Sequence, residues 1–349
     1  MAAANPFIEH GRITNPERFV GRWRELSLIF DQIDARKPVM VAGVAAVGRS
    51  SLLTHIAQSA STVLEQPTLE ALYVDMAELP SMEAFFALLT EALGNSGGQA
   101  SAFEFALLEQ GVPVLLALDN AEHAIEAGWG DYALESLARI ERRSTPMPSY
   151  ALEAREGTID LIVVAAVRGK AIPLSEPFVH VTLGAFASSE VRLLAEAYLF
   201  QTDVSFDSKE MNELWALSAG HPAYLQRAAF HLYRAKTEPG YNWRAGYRAE
   251  LRENPLPDAP LPPGVFEGGN HSSYEGMYED EVMGEGGPAL EMRQVSGSGT
   301  IVGLGLGIAL ALLAWQLSDN LIIGGAVLLL AVTLVLIVQR KHAPNGNKD

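Results

Sequence analysis

Nine consecutive residues constrain the fold of this chain more than any others: Gly43, Val44, Ala45, Ala46, Val47, Gly48, Arg49, Ser50 and Ser51. They follow an apolar run, Pro38 to Ala42, and lead into Leu52, Leu53, Thr54, His55 and Ile56, where a helix is expected. Two spaced glycines, a cation and a hydroxyl between a strand and a helix form the pattern of a phosphate-cradling loop. The glycines let backbone N–H groups approach an anion with no Cβ in the way, and the following helix aims its N-terminus at the same point. The expected anion contacts come from Gly43, Ala45, Ala46, Val47, Gly48, Arg49, Ser50 and Ser51, and the Ser50 hydroxyl is the expected Mg²⁺ ligand.

Position 49 departs from that pattern, which has lysine there. An ammonium is compact and reaches the β- and γ-phosphates, whereas a guanidinium is a planar, wider fork. The charge is kept and the geometry is not, so backbone-mediated binding is expected with weak or no hydrolysis. A second motif runs from Pro113 to Asp119, an apolar strand ending in an acid, with Asn120, Ala121 and Glu122 after it. Such an acid holds Mg²⁺ through water, and a neighbouring Glu polarises the attacking water. Asp119 is therefore the expected metal carboxylate. Glu122 is the candidate catalytic base, because Asn120 stands where that Glu usually sits; it also reads as an N-terminal charge on the next helix.

Residues 1–184 alternate short apolar runs with helical stretches, the pattern of an α/β domain with a mostly parallel sheet. Strands are expected at Pro38 to Ala42, Ala71 to Asp75, Pro113 to Asp119, Ile159 to Val167 and Phe178 to Leu183, with helices such as Glu17 to Ile33 and Ser50 to Ala60. Residues 185–236 contain no further strand pattern and read as a small helical lid.

Further short motifs join the loop and the strand-end acid: Asn5-Pro6-Phe7, Gly11-Arg12-Ile13, Phe19-Val20-Gly21-Arg22 and Gly220-His221-Pro222. Together they resemble the AAA-like, STAND-type P-loop ATPases of bacteria, whose nucleotide-binding core is similar to that of origin-recognition ATPases. The resemblance covers residues 5–235. It implies a three-layer core with a parallel sheet in the order 5-1-4-3-2, and ATP or ADP bound with Mg²⁺. It also implies Val20, Gly21 and Arg22 on one side of the nucleotide and His221 and Pro222 of the lid on the other. Arg168, after the fourth strand, falls where such ATPases place a sensor of the nucleotide state. From the residues alone, Gly220-His221-Pro222 is equally a helix stop followed by a proline start, and Arg168 a solvated strand end.

The C-terminal part has a different composition. Residues 237–298 are rich in Gly, Pro, Glu and Ser and read as a disordered acidic linker. Then come two uncharged apolar runs, Ile301 to Leu317 and Leu321 to Val338, separated by Ser318, Asp319 and Asn320. Each is about 25 to 27 Å long as a helix, enough with flanking residues to span a bilayer. A transmembrane hairpin is expected over 299–338, with helices 299–317 and 321–338, followed by a tail at 339–349. Arg340 and Lys341 follow the second run while the turn carries only an acid, which predicts both termini on the cytoplasmic face of the plasma membrane. Gly303, Gly305, Gly307, Gly324 and Gly325 offer a close-packing face to the other helix or to a second copy of the chain.

Composition narrows the partners. A formal charge of −17 argues against nucleic acid as a partner, and the lack of cysteine excludes thiol catalysis, disulfides and thiolate metal sites. Met1 to Arg12 has no secretory leader pattern. The expected partners are a nucleotide, membrane lipid, a second copy and a further protein. The expected function is a membrane-anchored, nucleotide-dependent regulatory switch. Two alternatives are an active ATPase that remodels a membrane partner and a pseudo-ATPase scaffold whose hairpin oligomerises.

Overall fold

A computed structural model describes residues 4–9, 11–143, 159–169, 174, 178–263 and 265. These all lie in the first of two units, Met1–Val282. The hairpin expected at 299–338 and the tail at 339–349 lie outside the described residues. Among the described residues, no helix is long and apolar enough to cross a membrane.

In chain order the elements are α1 (Trp23–Asp34), β1 (Val39–Gly43), α2 (Arg49–Val63), β2 (Glu70–Asp75), α3 (Met82–Ala92), α4 (Ala100–Gln110), β3 (Val114–Asp119), α5 (Ala121–Glu126), α6 (Gly130–Glu141), β4 (Leu161–Arg168), β5 (Val179–Leu183), α7 (Ser188–Leu199), α8 (Ser208–Ser218), α9 (Pro222–Thr237) and α10 (Trp243–Glu253). The five strands form one sheet in the order β2-β3-β4-β1-β5, and every pairing is parallel. This is the order that the resemblance implied, read from the other edge. The crossover of β4 between β1 and β3 brings the carboxyl ends of these three strands to one edge, where open α/β sheets bind ligands.

The three central strands read as unbroken apolar runs because helices cover both sheet faces. On one face Met40, Leu116, Leu118, Val163 and Ala165 pack with Phe85, Phe86, Phe103 and Leu137 from α3, α4 and α6. On the other, Val39, Val41, Leu115, Ala117 and Val164 pack with Ile29, Ile33, Leu52 and Ile56 from α1 and α2. Each such fully buried side chain contributes about 1.5 to 3 kcal/mol of burial free energy.

Two differences from the sequence expectations have clear causes. The helix expected from Glu17 is split into a short 3-10 turn, Pro16–Arg18, and α1. Between them Gly21 and Arg22 adopt φ of 86° and 62°, left-handed values that no helix passes through. The lid is also longer than its expected end at 236, since α10 lies in the stretch whose composition suggested a disordered linker. Trp243, Tyr247 and Leu251 recur every fourth residue and are buried with Tyr224, Leu225 and Leu232 of α9. Asn242 caps this helix by accepting from the Ala245 N–H at 3.1 Å. The dense Pro and Glu around this segment obscured one short amphipathic stripe.

Candidate phosphate and nucleotide site

The loop begins where β1 ends, with Gly43 paired to Arg168 of β4 and Leu183 of β5. A Cβ on Gly43 would lie 2.8 Å from a Val47 methyl and 3.1 Å from the Leu183 carbonyl, so the close approach requires glycine. Gly48 turns the chain into α2 at φ 101°, and Ala46 also holds a left-handed φ of 57°. No side chain caps α2. The N–H groups of its first turn are thus available to an anion at the positive end of the helix.

Above the loop is a cavity of about 230 Å³. It is lined by Ala46 to Ser51 of the loop and by apolar side chains of Ile13, Phe19, Val20, Leu194, Pro222 and Leu256. The N-terminal segment is tied to the loop by the Ile13 N–H, which donates to Ser51 Oγ at 2.9 Å. A loop rich in donors facing an apolar slot suits a phosphate chain carrying a flat base.

Two residues join this cavity to the lid. Arg22 is 4% exposed. Its guanidinium donates to the carbonyls of Val47 at 3.1 Å and Gly184 at 2.7 Å, pairs with Glu25 at 2.8 Å, and lies 4.5 Å from the centre of the Phe186 ring. These bonds, and its N–H donating to Glu190, explain why the backbone tolerates the left-handed conformation at this residue. His221, at the start of α9, donates through Nε2 to the Ala45 carbonyl at 3.0 Å. Burial, opposed in part by this bond and aided by the nearby Arg22 charge, pushes the imidazole pKa down to about 4. The ring is therefore neutral at pH 7, with its proton on Nε2.

The turn before His221 is equally constrained. Gly220 has φ 69°, and a Cβ there would lie 2.2 Å from the Phe186 carbonyl oxygen. The Phe186 N–H donates to the Gly220 carbonyl at 2.8 Å, and Trp215 Nε1 donates to the Phe186 carbonyl at 3.2 Å. The turn thus ends α8, starts α9 at Pro222 and sets His221 against the loop.

The carboxylates lie beside the loop, at the strand ends. Asp119 accepts from the Tyr73 hydroxyl at 2.5 Å through Oδ2 and from the Asn120 N–H at 3.0 Å through Oδ1. Burial and the Asp119 carboxylate drive the Tyr73 pKa upward. The Arg12 guanidinium lies 4.5 Å from the centre of the Tyr73 ring, carrying this chain of contacts to the cavity wall. Asn120 holds a left-handed φ of 54° and donates to Asp75 at 2.9 Å. Glu122 is fully engaged: Oε1 lies 3.5 Å from Arg49 and 3.6 Å from Arg168, while Oε2 accepts the Arg168 N–H at 3.0 Å. Arg168 also pairs with Asp258, beyond α10.

A hydroxyl and a carboxylate are hard oxygen donors of the kind Mg²⁺ takes when phosphates and waters complete its shell. Each Asp119 oxygen holds one hydrogen bond and retains a lone pair for a bound water. Ser50 and Asp119 therefore fit that ion. Among the described residues, no three His, Asp or Glu side chains converge on a metal site, so such an ion would need the nucleotide to complete its shell.

Of the residues expected from sequence, Val20, Arg22, Ala46, Val47, Gly48, Arg49, Ser50, Ser51 and Pro222 line the cavity together. Gly21, Gly43, Ala45 and His221 are outside its lining. Asp119, Glu122 and Arg168 form the adjoining polar cluster, linked to the loop through Arg49. Sequence motifs missed Phe186, Leu194, Gln226 and Leu256, which also line it. They lie on lid elements with no motif of their own, and only helical phase relative to Pro222 pointed to Gln226.

No protein-family model matches this chain, and no curated protein matches it significantly. Solved structures similar to it include a Walker-type ATPase of Pyrococcus abyssi, at 13% identity over 71% of this chain and 77% of that one, TM-score 0.47. The RuvB Holliday junction branch migration motor of Thermotoga maritima is similar at 14% identity over 69% and 72%, TM-score 0.43. A Signal Transduction ATPase with Numerous Domains from Pyrococcus horikoshii, with a tetratricopeptide repeat sensor, is similar at 19% identity, TM-score 0.38; the match spans 63% of this chain and 30% of that one.

Proposed function

We propose that this chain is a nucleotide-dependent switch that binds ATP or ADP with Mg²⁺ between its loop and its lid and hydrolyses it slowly or not at all. The observation that carries this reading is the bond from His221 to the Ala45 carbonyl, which joins the residue capping the lid helix α9 to the backbone of the loop. A phosphate that reorders the loop must strain or break that bond, so occupancy is transmitted to α9. Weak hydrolysis follows from Glu122. A base must accept a proton from water, and this carboxylate is already paired with two guanidinium groups.

In the same proposal the hairpin at 299–338 holds the switch at the cytoplasmic face of a membrane, so that lid movement is read beside the bilayer. The full chain in detergent, titrated calorimetrically with ATP and ADP with and without Mg²⁺, tests the binding. Absence of heat at millimolar nucleotide overturns the proposal. Rapid phosphate release abolished by Asp119→Asn would support the active-ATPase alternative in its place.

A further inference from the structure

The wall of the cavity holds a buried amide whose carbonyl oxygen has no partner. Gln226 is 4% exposed, and among the described residues its Oε1 has no hydrogen bond. It lies on α9 one turn beyond Pro222, on the same helix face, and both line the cavity. Leu194, Ala223 and Leu256 around it offer no side-chain hydrogen-bonding groups. The Tyr198 hydroxyl donates to the Arg18 carbonyl at 3.0 Å, and its oxygen is within reach of one N–H of the Gln226 amide, which leaves the second N–H and the carbonyl oxygen of Gln226 to a ligand. Buried amides are rarely left unpaired, because each orphaned donor or acceptor keeps its full desolvation penalty.

We propose that Gln226 reads the edge of a purine base, pairing its carboxamide with adjacent donor and acceptor atoms of adenine. This rests on the nucleotide reading above and adds to it the group that recognises the base. With the phosphates held by the donors at Gly48 to Ser51, the base is left to the rest of the lining, where Gln226 stands among Leu194, Pro222, Ala223 and Leu256 with its carbonyl oxygen unpaired. A planar amide presents one N–H donor and one carbonyl acceptor side by side. Adenine presents the complement, an exocyclic amino donor next to a ring nitrogen acceptor. Pairing satisfies both ligand and protein, whereas a base lacking the amino group leaves the Gln226 oxygen buried and unpaired. Discrimination arises from that orphaned atom, in the way that polar sites reject analogues missing a hydrogen-bonding group.

The test compares ATP with purine riboside triphosphate, which has the adenine ring without its 6-amino group, on the full chain in detergent. The wild type should bind ATP about tenfold more tightly than the analogue. In Gln226→Met, which keeps the volume and removes the amide, the two ligands should bind equally, and thermal stability without ligand should not fall. Gln226→Glu supplies an acceptor but no donor and should lose ATP affinity while keeping a preference for the amino-bearing base. Equal binding of both ligands by the wild type, or an unchanged preference in Gln226→Met, overturns the base-reading role while leaving nucleotide binding intact. Failure of any triphosphate to bind the wild type overturns both.

Discussion

Arg49, the cation of the loop, is held by Glu122, with a guanidinium nitrogen 3.5 Å from Oε1 and both side chains less than a tenth exposed. The other terminal nitrogen of Arg49 has no partner among the described residues. The residue that differs from the usual loop lysine and the acid three positions past the strand-end aspartate are therefore one interaction. A longer, forked cation reaches an acid that a shorter ammonium leaves free.

Arg49→Lys should release Glu122 from one of its two cations and restore a compact charge at the loop. Phosphate release should rise about tenfold or more, while ATP affinity, carried mainly by backbone N–H groups, changes only a few-fold. A steady-state phosphate assay on both proteins checks this. An unchanged rate would mean that the Arg49–Glu122 pair does not limit hydrolysis.

His221 makes the lid contact sensitive to acid. Its folded pKa of about 4 lies below the ordinary histidine value, so the unfolded chain binds its proton first as pH falls. The stability it contributes is complete above about pH 6.5 and is lost at about 1.4 kcal/mol per pH unit down to pH 4. Urea unfolding at pH 7 and pH 5 should show a loss about 2 kcal/mol larger in the wild type than in His221→Gln, which can donate to Ala45 at either pH. Equal losses would remove His221 as the source.

Glu141 works in the opposite direction. Burial raises its pKa to about 8, opposed by the Val163 N–H that it accepts at 3.1 Å and by the Arg36 charge. The folded chain keeps this proton after the unfolded chain has lost it, so stability is full below about pH 4.5 and falls as pH rises toward 8, by about 1.4 kcal/mol per unit. Glu141→Gln keeps an acceptor for Val163 and cannot ionise. Its melting temperature should exceed that of the wild type at pH 8.5 and match it at pH 4.5.

Gly220→Ala should destabilise the lid strongly, because the new methyl meets the Phe186 carbonyl oxygen in a left-handed conformation. The expected cost exceeds about 2 kcal/mol. Gly240→Ala is the control, at φ 82° with open space around the added carbon. It should cost about 1 kcal/mol, the backbone penalty alone. Comparable unfolding midpoints for the two variants would refute the packing argument.

Much of the core was legible because its physics is local. Five apolar runs gave five strands within two residues at each end, since at five to eight residues each is too short for a helix. Gly43 and Gly48 declared the loop by the conformations they permit. Other features were not local. The 3-10 turn and break before α1 depend on Arg22 reaching Val47 and Gly184, contacts that no pattern within the segment reveals. The pairing of Arg49 with Glu122 spans 73 residues and exists only once the crossover has placed β3 near β1. Helix α10 was concealed because composition averages over a window, while Trp243, Tyr247 and Leu251 act through spacing.

Arg22 draws together the α1 start, the loop carbonyl at Val47, the chain after β5 at Gly184 and the Phe186 ring. None of these segments can open alone while the guanidinium stays in place, so they form one cooperative unit for local unfolding. The hydrogen-bonded amides of Arg22, Val47 and Phe186 therefore share a single hydrogen-exchange free energy, although nearly the whole length of the α/β core separates them in sequence. A nucleotide that slows exchange at any one of them slows it at all three.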